Sequence, residues 1–367
     1  MKIILDVSNI VYGGHYANPE YRINGFPMGG VRKLLGIINA ESRDKDVFLC
    51  MDGGATMKKE LYPEYKAGRV PNYSVAAQLD LLQEIFGDCN IPYYKEDGVE
   101  ADDFICSLVH FFEFTQDPDE ITIISDDRDI SCCVSPTVSV RNATSNGICL
   151  NYDNFEKRAV NGATVPYNAI LVHKMFNGDK SDGYGGLRIP GLKYEDLAYR
   201  FLNAMAPFLE DNAMPHSVHM NLQAMDIVID SLGDNVSQAD KDTLKKQAKL
   251  VFPQLLDVTH NGLEAYFRDR DTSGDPLYRA QHRALKVCSM ANMRTSNFNY
   301  YCTILGLNRA RPERISFSMG EKDTEFKELL SLRAKELSTG VTAAKHYKRR
   351  RESAQSEPTM SNMELPL

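Results

Sequence analysis

The sequence predicts an α/β protein with a central, mostly parallel sheet and a helical C-terminal part, and three observations carry that prediction. Three short apolar runs each end in an acid, an apolar stripe at helical spacing opens on three more acids, and beyond residue 195 apolar residues recur at helical spacing. Ile3, Ile4 and Leu5 precede Asp6; Val47, Phe48, Leu49, Cys50 and Met51 precede Asp52; Ile121 to Ile124 precede the cluster Asp126, Asp127, Arg128 and Asp129. Continuous Val/Ile/Leu runs read as buried parallel strands, and open α/β sheets bind ligands beyond the carboxyl ends of their strands. The terminal acids of these three strands are therefore expected at one edge of one sheet.

The stretch from Gly98 to Phe112 reads as a helix: Phe104, Ile105, Leu108, Val109 and Phe112 fall at helical spacing, and Glu100, Asp102 and Asp103 crowd its first turn. An acid at a helix N-terminus is favourable by ~0.3–1 kcal/mol, but three in four residues exceed what capping needs. With Asp179 and Asp182 from Gly178-Asp179-Lys180-Ser181-Asp182, nine carboxylates stand where an acidic metal site would put them: Asp6, Asp52, Glu100, Asp102, Asp103, Asp127, Asp129, Asp179 and Asp182. Gathering them raises their pKa values and costs several kcal/mol of repulsion unless cations neutralise them. A set of oxygen ligands alone points to Mg²⁺ or Mn²⁺ rather than zinc. The eight histidines show no metal-ligand spacing, and no Ser/His/Asp or Cys/His nucleophilic set is required.

In that order along the chain, Asp6, Tyr65-Lys66-Ala67-Gly68-Arg69, Gly98-Val99-Glu100-Ala101-Asp102-Asp103, Ser125-Asp126-Asp127-Arg128-Asp129 and Gly178-Asp179-Lys180-Ser181-Asp182 resemble the motifs of the 5′ nuclease (flap endonuclease) family. The resemblance covers roughly residues 1–200. It extends to the 5′–3′ exonuclease domain of bacterial DNA polymerase I and to stand-alone bacteriophage 5′-exonucleases with ribonuclease H activity. It implies a PIN-like/5′ nuclease fold with a helical arch and a helix-hairpin-helix (H3TH) region. It also implies two metal clusters, one of Asp6, Asp52, Glu100, Asp102 and Asp103, the other of Asp127, Asp129, Asp179 and Asp182. Two cations ~3.5–4 Å apart would stabilise the attacking and leaving oxygens of a phosphodiester displacement. Lys66 would approach the scissile phosphate as a point charge, Arg69 would brace it as a fork, and Tyr65 would stack on a terminal base.

Residues 70–97 carry a helical pattern at Val75, Leu79, Leu82, Ile85 and Phe86 after a polar start with Pro71, and the resemblance casts the region from about 65 to 97 as a mobile arch that threads a single strand. Residues 178–193 would form the hairpin that grips duplex phosphates through backbone N–H groups. Ile189-Pro190-Gly191-Leu192 fits its centre, while Arg188 and Lys193 stand at the outer glycine positions and Gly183 where an Asn is common. Arg188, Gly191 and Lys193 are the expected nucleic-acid contacts, with K⁺ as the family's usual ion at the hairpin.

Further along, helices are expected over Leu197–Met205, Val218–Leu232, Ala239–Val251, Leu277–Met290 and Phe326–Leu337, with loops at 233–237 and 269–275; Arg279, Arg283 and Lys286 could extend the duplex footprint. Five cations within Lys345–Arg351 precede a non-periodic segment ending Met363-Glu364-Leu365-Pro366-Leu367, read as a disordered tail: either a solubilising appendage or one whose basic run adds phosphate contacts and whose terminus docks a sliding clamp or a single-strand-binding protein. The expected division is 1–175 nuclease domain, 176–340 helical DNA-binding part and 341–367 tail.

A formal charge of −8 looks wrong for a nucleic-acid binder, yet removing the nine candidate ligands leaves +1, so binding would rest on local patches. Cys50, Cys89, Cys106, Cys132, Cys133, Cys149, Cys288 and Cys302 show no CxxC spacing, as in a reducing cytosol. No signal peptide or long apolar stretch is visible. The expectation is a monomeric, Mg²⁺-dependent 5′ nuclease of the cytoplasm, a phage protein acting in its host, with 5′→3′ exonuclease and flap endonuclease activity on branched or nicked DNA and RNA–DNA hybrid. A PIN-type endoribonuclease would need fewer acids, and a non-catalytic DNA-structure-binding relative would have lost some of the nine.

Overall fold

The computed structural model of the chain describes residues 1–61, 63–114, 119–143, 149–150, 178–185, 226–227, 229–232, 236–251, 287–307 and 319–341. The main sheet has six strands among these residues. Its centre is β1 (Lys2–Asp6), all five residues of which are buried. On either side, parallel to it, lie β4 (Asp46–Cys50) and β5 (Ile121–Ile124), in registers that set Asp6 beside Cys50 and Leu5 beside Ile124. Asp52 and Asp127 stand within three residues of those strand ends, so the expected edge forms. β6 (Val138–Arg141) adds in parallel beyond β5, and β7 (Cys149–Leu150) closes that side antiparallel.

Helices cover both faces, which is why β1 shows no polar alternation. On one side, Ile3, Leu5, Val47 and Leu49 pack in a core shared with α1 (Val7–Ala17), α2 (Gly29–Glu41) and α4 (Tyr73–Cys89), which are joined by the short β2 (Arg22–Ile23), β3 (Phe26–Pro27) and α3 (Thr56–Leu61). On the other, α5 (Ala101–Phe114) brings Phe112 edge-on to Phe48 at 5.3 Å between ring centres, and Phe104 against Tyr94. The α1–α2 contact depends on two missing side chains: a Cβ on Gly14 would lie 2.8 Å from the Gly30 Cα, and one on Gly30 would lie 2.5 Å from the Val11 carbonyl oxygen. Helix α1 starts directly from β1, because the Asp6 carboxylate caps it by accepting from the Asn9 N–H at 3.1 Å.

The structure corrects three expectations. Residues 73–89 are not part of an arch. Helix α4 is capped by Asn72 and by a left-handed Asn90, and it buries Val75, Leu81, Leu82, Ile85, Phe86 and Cys89; the chain then returns to the sheet at Tyr94, bridged to Cys50. Its apolar stripe has the sheet-side core to bury in, which holds it as a plain α/β connection. Second, within the span 277–290 expected to be helical, the described residues Val287 and Cys288 form a strand, here β10, which pairs antiparallel with Phe48 and Val47 of β4 and takes its free edge.

Third, the described residues show no division of the core near residue 175. Cys288, Met293, the buried face of α7 (Thr295–Ile304; Phe298, Tyr300, Tyr301, Cys302) and Phe326 and Leu330 of α8 (Met319–Ser338) enter the same core as α2 and α4. Polar contacts fasten the join: Asp88 receives the Tyr301 hydroxyl at 3.0 Å and the Lys322 ammonium at 2.5 Å. The expected helices over Ala239–Val251 and Phe326–Leu337 coincide with α6 (Gln238–Val251) and α8. Residues 197–205, all of 269–286 and the tail from 342 lie outside the described residues.

Since Phe298 is fully buried in the core shared by the two halves of the chain, Phe298→Ala should lower stability by about 3–5 kcal/mol. Chemical denaturation monitored by circular dichroism should show one transition shifted as a whole; two transitions, one of them unchanged, would restore the separate domains.

Candidate metal centre

Each strand end presents its acid through a backbone contact. Asp6 accepts the Ser125 hydroxyl at 2.8 Å from the end of β5, in addition to capping α1. Asp52 donates its N–H to the Ser8 hydroxyl at 3.0 Å and accepts the N–H of Ala101 at 2.7 Å, which docks the first residue of α5 on the edge. That docking needs Gly53, where a Cβ would strike the Glu96 carbonyl oxygen, and is closed by two backbone bonds, Gly53 to Val99 and Gly98 to Gly53. Asp127 donates to Ser125 and accepts the N–H of Asp129, each at 3.0 Å. Burial, then the charges of Asp52 and Asp127, push the Asp6 carboxyl up to about 7.

The remaining acids gather in two groups. Carboxylate oxygens of Glu100, Asp102 and Asp103, in and before the first turn of α5, lie within 4.8 Å of one another, and so do those of Asp129, Asp179 and Asp182. The second group crosses elements: Asp129 opens a 3₁₀ turn after β5, while Asp179 and Asp182 sit on a small hairpin of β8 (Gly178–Asp179) and β9 (Tyr184–Gly185). Asp179 fixes that hairpin by accepting the Ser181 N–H at 2.7 Å and its hydroxyl. All nine candidate acids are among the described residues. Asp6 feels the charges of both Asp52 and Asp127 across the strand ends.

Three cations from one segment enter this site. Lys58, on α3, sits between all three acids of the first group, at 2.9 Å from Glu100, 3.0 Å from Asp102 and 3.1 Å from Asp103, with 3% of its side chain exposed. Lys66 lies 2.6 Å from Glu100 and 3.8 Å from Asp182, and Arg69 bonds Asp182 at 2.9 Å. Burial alone would lower the Lys58 pKa, but Asp102, Asp103 and Glu100 outweigh it and raise it well above the ordinary value. Burial likewise pushes Glu100 upward, and Lys58 with Lys66 overcomes it, holding Glu100 at about 2. Asp102 and Asp103 stay raised by burial and by their acidic neighbours despite Lys58.

Sequence reasoning misses Lys58, because its neighbour Lys59 is equally basic and only the exposure of the two differs. It also misplaces Tyr65. The Tyr65 ring is 2% exposed, lies under the Lys66 ammonium at 4.8 Å, and its hydroxyl donates to Glu100 at 2.9 Å. It is thus turned inward to hold a carboxylate, where no base can stack on it. Asp126, within the acidic run, holds elements together: it accepts from Ala143, donates its N–H to Asn9 and pairs with Lys33 at 3.6 Å. Arg188, Gly191 and Lys193 lie outside the described residues.

Oxygen donors alone, held within 4.8 Å of one another in each group, suit a hard divalent ion. A family profile described as "5′-3′ exonuclease, N-terminal resolvase-like domain" matches residues 1–160. The chain is 31% identical over 199 residues to the DNA polymerase I of Bacillus caldotenax, covering 52% of this chain and 22% of that one. It is 30% identical over 211 residues to a 5′-3′ exonuclease of Bacillus subtilis (strain 168), covering 54% of this chain and 69% of the relative. The T5 D15 protein, co-crystallised with metal ions, superposes with a TM-score of 0.47 at 18% identity, over 73% of this chain and 94% of that one. The chain thus spans about a fifth of the length of the polymerase it matches. Among the described residues no helix is long and apolar enough to cross a membrane.

Folded without cations, the chain keeps the Asp6 proton up to about pH 7, whereas the unfolded chain releases it near 3.8. That stabilisation is therefore complete below the lower value and lost as pH rises through the upper one. In chelator, wild type should lose thermal stability relative to Asp6→Asn between the two values; parallel melting profiles would refute the shift.

Proposed function

This chain belongs to the 5′–3′ exonuclease family, and we propose that it is a Mg²⁺-dependent, structure-specific 5′ nuclease that cuts phosphodiester bonds as a 5′→3′ exonuclease and flap endonuclease, removing RNA primers in DNA replication. The observation that supports this reading is the pair of carboxylate groups, Glu100 with Asp102 and Asp103 and Asp129 with Asp179 and Asp182, which Lys66 bridges and Arg69 flanks. Glu100, Asp102 and Asp103, with Asp6 and Asp52, would hold one divalent cation, and Asp129, Asp179 and Asp182, with Asp127, another. Bound there, such ions supply positive charge to phosphate oxygens and acidify the attacking water.

The chain's own residues do the rest. Ser125 and Asn9 fix Asp6, Ala101 fixes Asp52, and Tyr65 fixes Glu100, so the acids are aimed before substrate arrives. Lys66 and Arg69, on the rim facing these acids, are the groups to meet the scissile phosphate, the first as a point charge and the second as a fork. Arg69 is well placed for this, with 54% of its side chain exposed. Mn²⁺ would substitute for Mg²⁺. K⁺ at the hairpin, duplex contacts from Arg188, Gly191 and Lys193, and docking of residues 363–367 on a clamp or single-strand-binding protein belong to the same reading.

Assays on 5′-labelled flap, nicked duplex and RNA–DNA hybrid test it. Asp102→Asn or Asp127→Asn should lower cleavage at least ~100-fold with binding mostly intact; wild-type turnover in either would end the assignment. Lys66→Ala should cut the single-turnover rate by about 10²–10³ and affinity far less. Equal losses in both would make Lys66 a general phosphate contact.

A further inference from the structure

Three cations of residues 58–69 are committed to the acids of both groups, yet two of them are the ones the nuclease reading needs at a phosphate. The contacts are specific: Lys58 fills the centre of the Glu100, Asp102 and Asp103 cage, Lys66 bridges Glu100 and Asp182, and Arg69 holds Asp182 and the Ser181 carbonyl oxygen at 3.1 Å. One ammonium with three carboxylate partners at 2.9–3.1 Å occupies the volume a hard cation would take from the same donors. Two cations cannot share that cage without strong repulsion at low effective dielectric.

Resting on the nuclease reading, we infer that residues 58–69 form a cationic latch: Lys58, Lys66 and Arg69 stand in for divalent ions on the acids, and ion binding displaces the latch and frees Lys66 and Arg69 for phosphate. The backbone supports two states. Lys66 has φ of 53°, in the left-handed region a lysine rarely adopts, and is held there by its N–H bond to the Asp182 carbonyl oxygen at 2.7 Å. Gly54, with φ of 113°, precedes the segment, and Gly68, whose Cβ would meet open space, lies near its end. Lys59, Glu60 and Glu64 are exposed, whereas Lys58 and Tyr65 are buried against the acids, so among the described side chains of the segment the ionic contacts and the Tyr65 ring are the anchors. A ligand shifts such an equilibrium only by binding one state better, and here it does so by competing for the same oxygens.

Calorimetry with Mg²⁺ and hydrogen exchange on the full chain test this. In wild type, Mg²⁺ should raise exchange in residues 56–72 while lowering it in β1 and the start of α5. Lys58→Met, which keeps the length and removes the charge, should bind Mg²⁺ at least about tenfold more tightly, because a competitor has left the cage. Greater protection of 56–72 on adding Mg²⁺, or unchanged or weaker binding by the folded variant, overturns the latch. If the variant does not fold, exchange in wild type decides alone. Mg²⁺ binding and Mg²⁺-dependent cleavage without faster exchange overturn the latch and leave the nuclease reading; absence of Mg²⁺ binding in wild type overturns both.

Discussion

Everything at the functional edge answers to the cost of placing many carboxylates side by side in a partly dehydrated cleft. Parallel strands β1, β4 and β5 bring Asp6, Asp52 and Asp127 together by topology alone, and α5 adds Glu100, Asp102 and Asp103 from its first turn. Repulsion among them is relieved in two ways within the chain. Asp6 holds a proton to about pH 7, and the acids of α5 surround the buried Lys58. The second solution binds the position of α3 to the charge state of α5, so that distant parts of the sequence report on one cluster.

The central strands, α4 as a helix, and α5 with its acids could be read from sequence because each carries a strong local signal: unbroken Ile/Val/Leu runs, or apolar residues three and four apart. The strand-end acids Asp6, Asp52 and Asp127 could be read for the same reason, since neighbouring parallel strands bring their carboxyl ends to one edge. The features that escape such reading are decided by tertiary partners. Val287 and Cys288 are too short a run to declare a strand, and become one because β4 offers an unpaired edge. Lys58 and Lys59 are chemically alike, and only the direction each faces from α3 puts one among acids and the other in water. Tyr65 suggests a partner outside the protein, while Glu100 offers one inside it.

The second half of the chain shows the same limit at larger scale. Phe298, Tyr301 and Phe326 carry no mark that they belong with Leu34 or Phe86 rather than with a helical unit of their own, yet one core holds them all. Asp88, at the end of α4, shows how firmly: its carbonyl and carboxylate take bonds from Asn297, Tyr301 and Lys322. The support of α4, and through it of α1 and the Asp6 cap, comes from residues more than two hundred positions away.

That long reach has a meaning for synthesis. As the chain leaves the ribosome from its N-terminus, domains ordinarily fold as they emerge. Here the outer edge of β4 stays unpaired, and the apolar faces of α2 and α4 stay uncovered, until residues near 288 and 330 have been made. An unpaired strand edge and open apolar faces invite non-native association. In the nascent chain that edge and those faces therefore wait for β10, α7 and α8, and the acidic edge gains its support through α4 only after residues near 330 have been added.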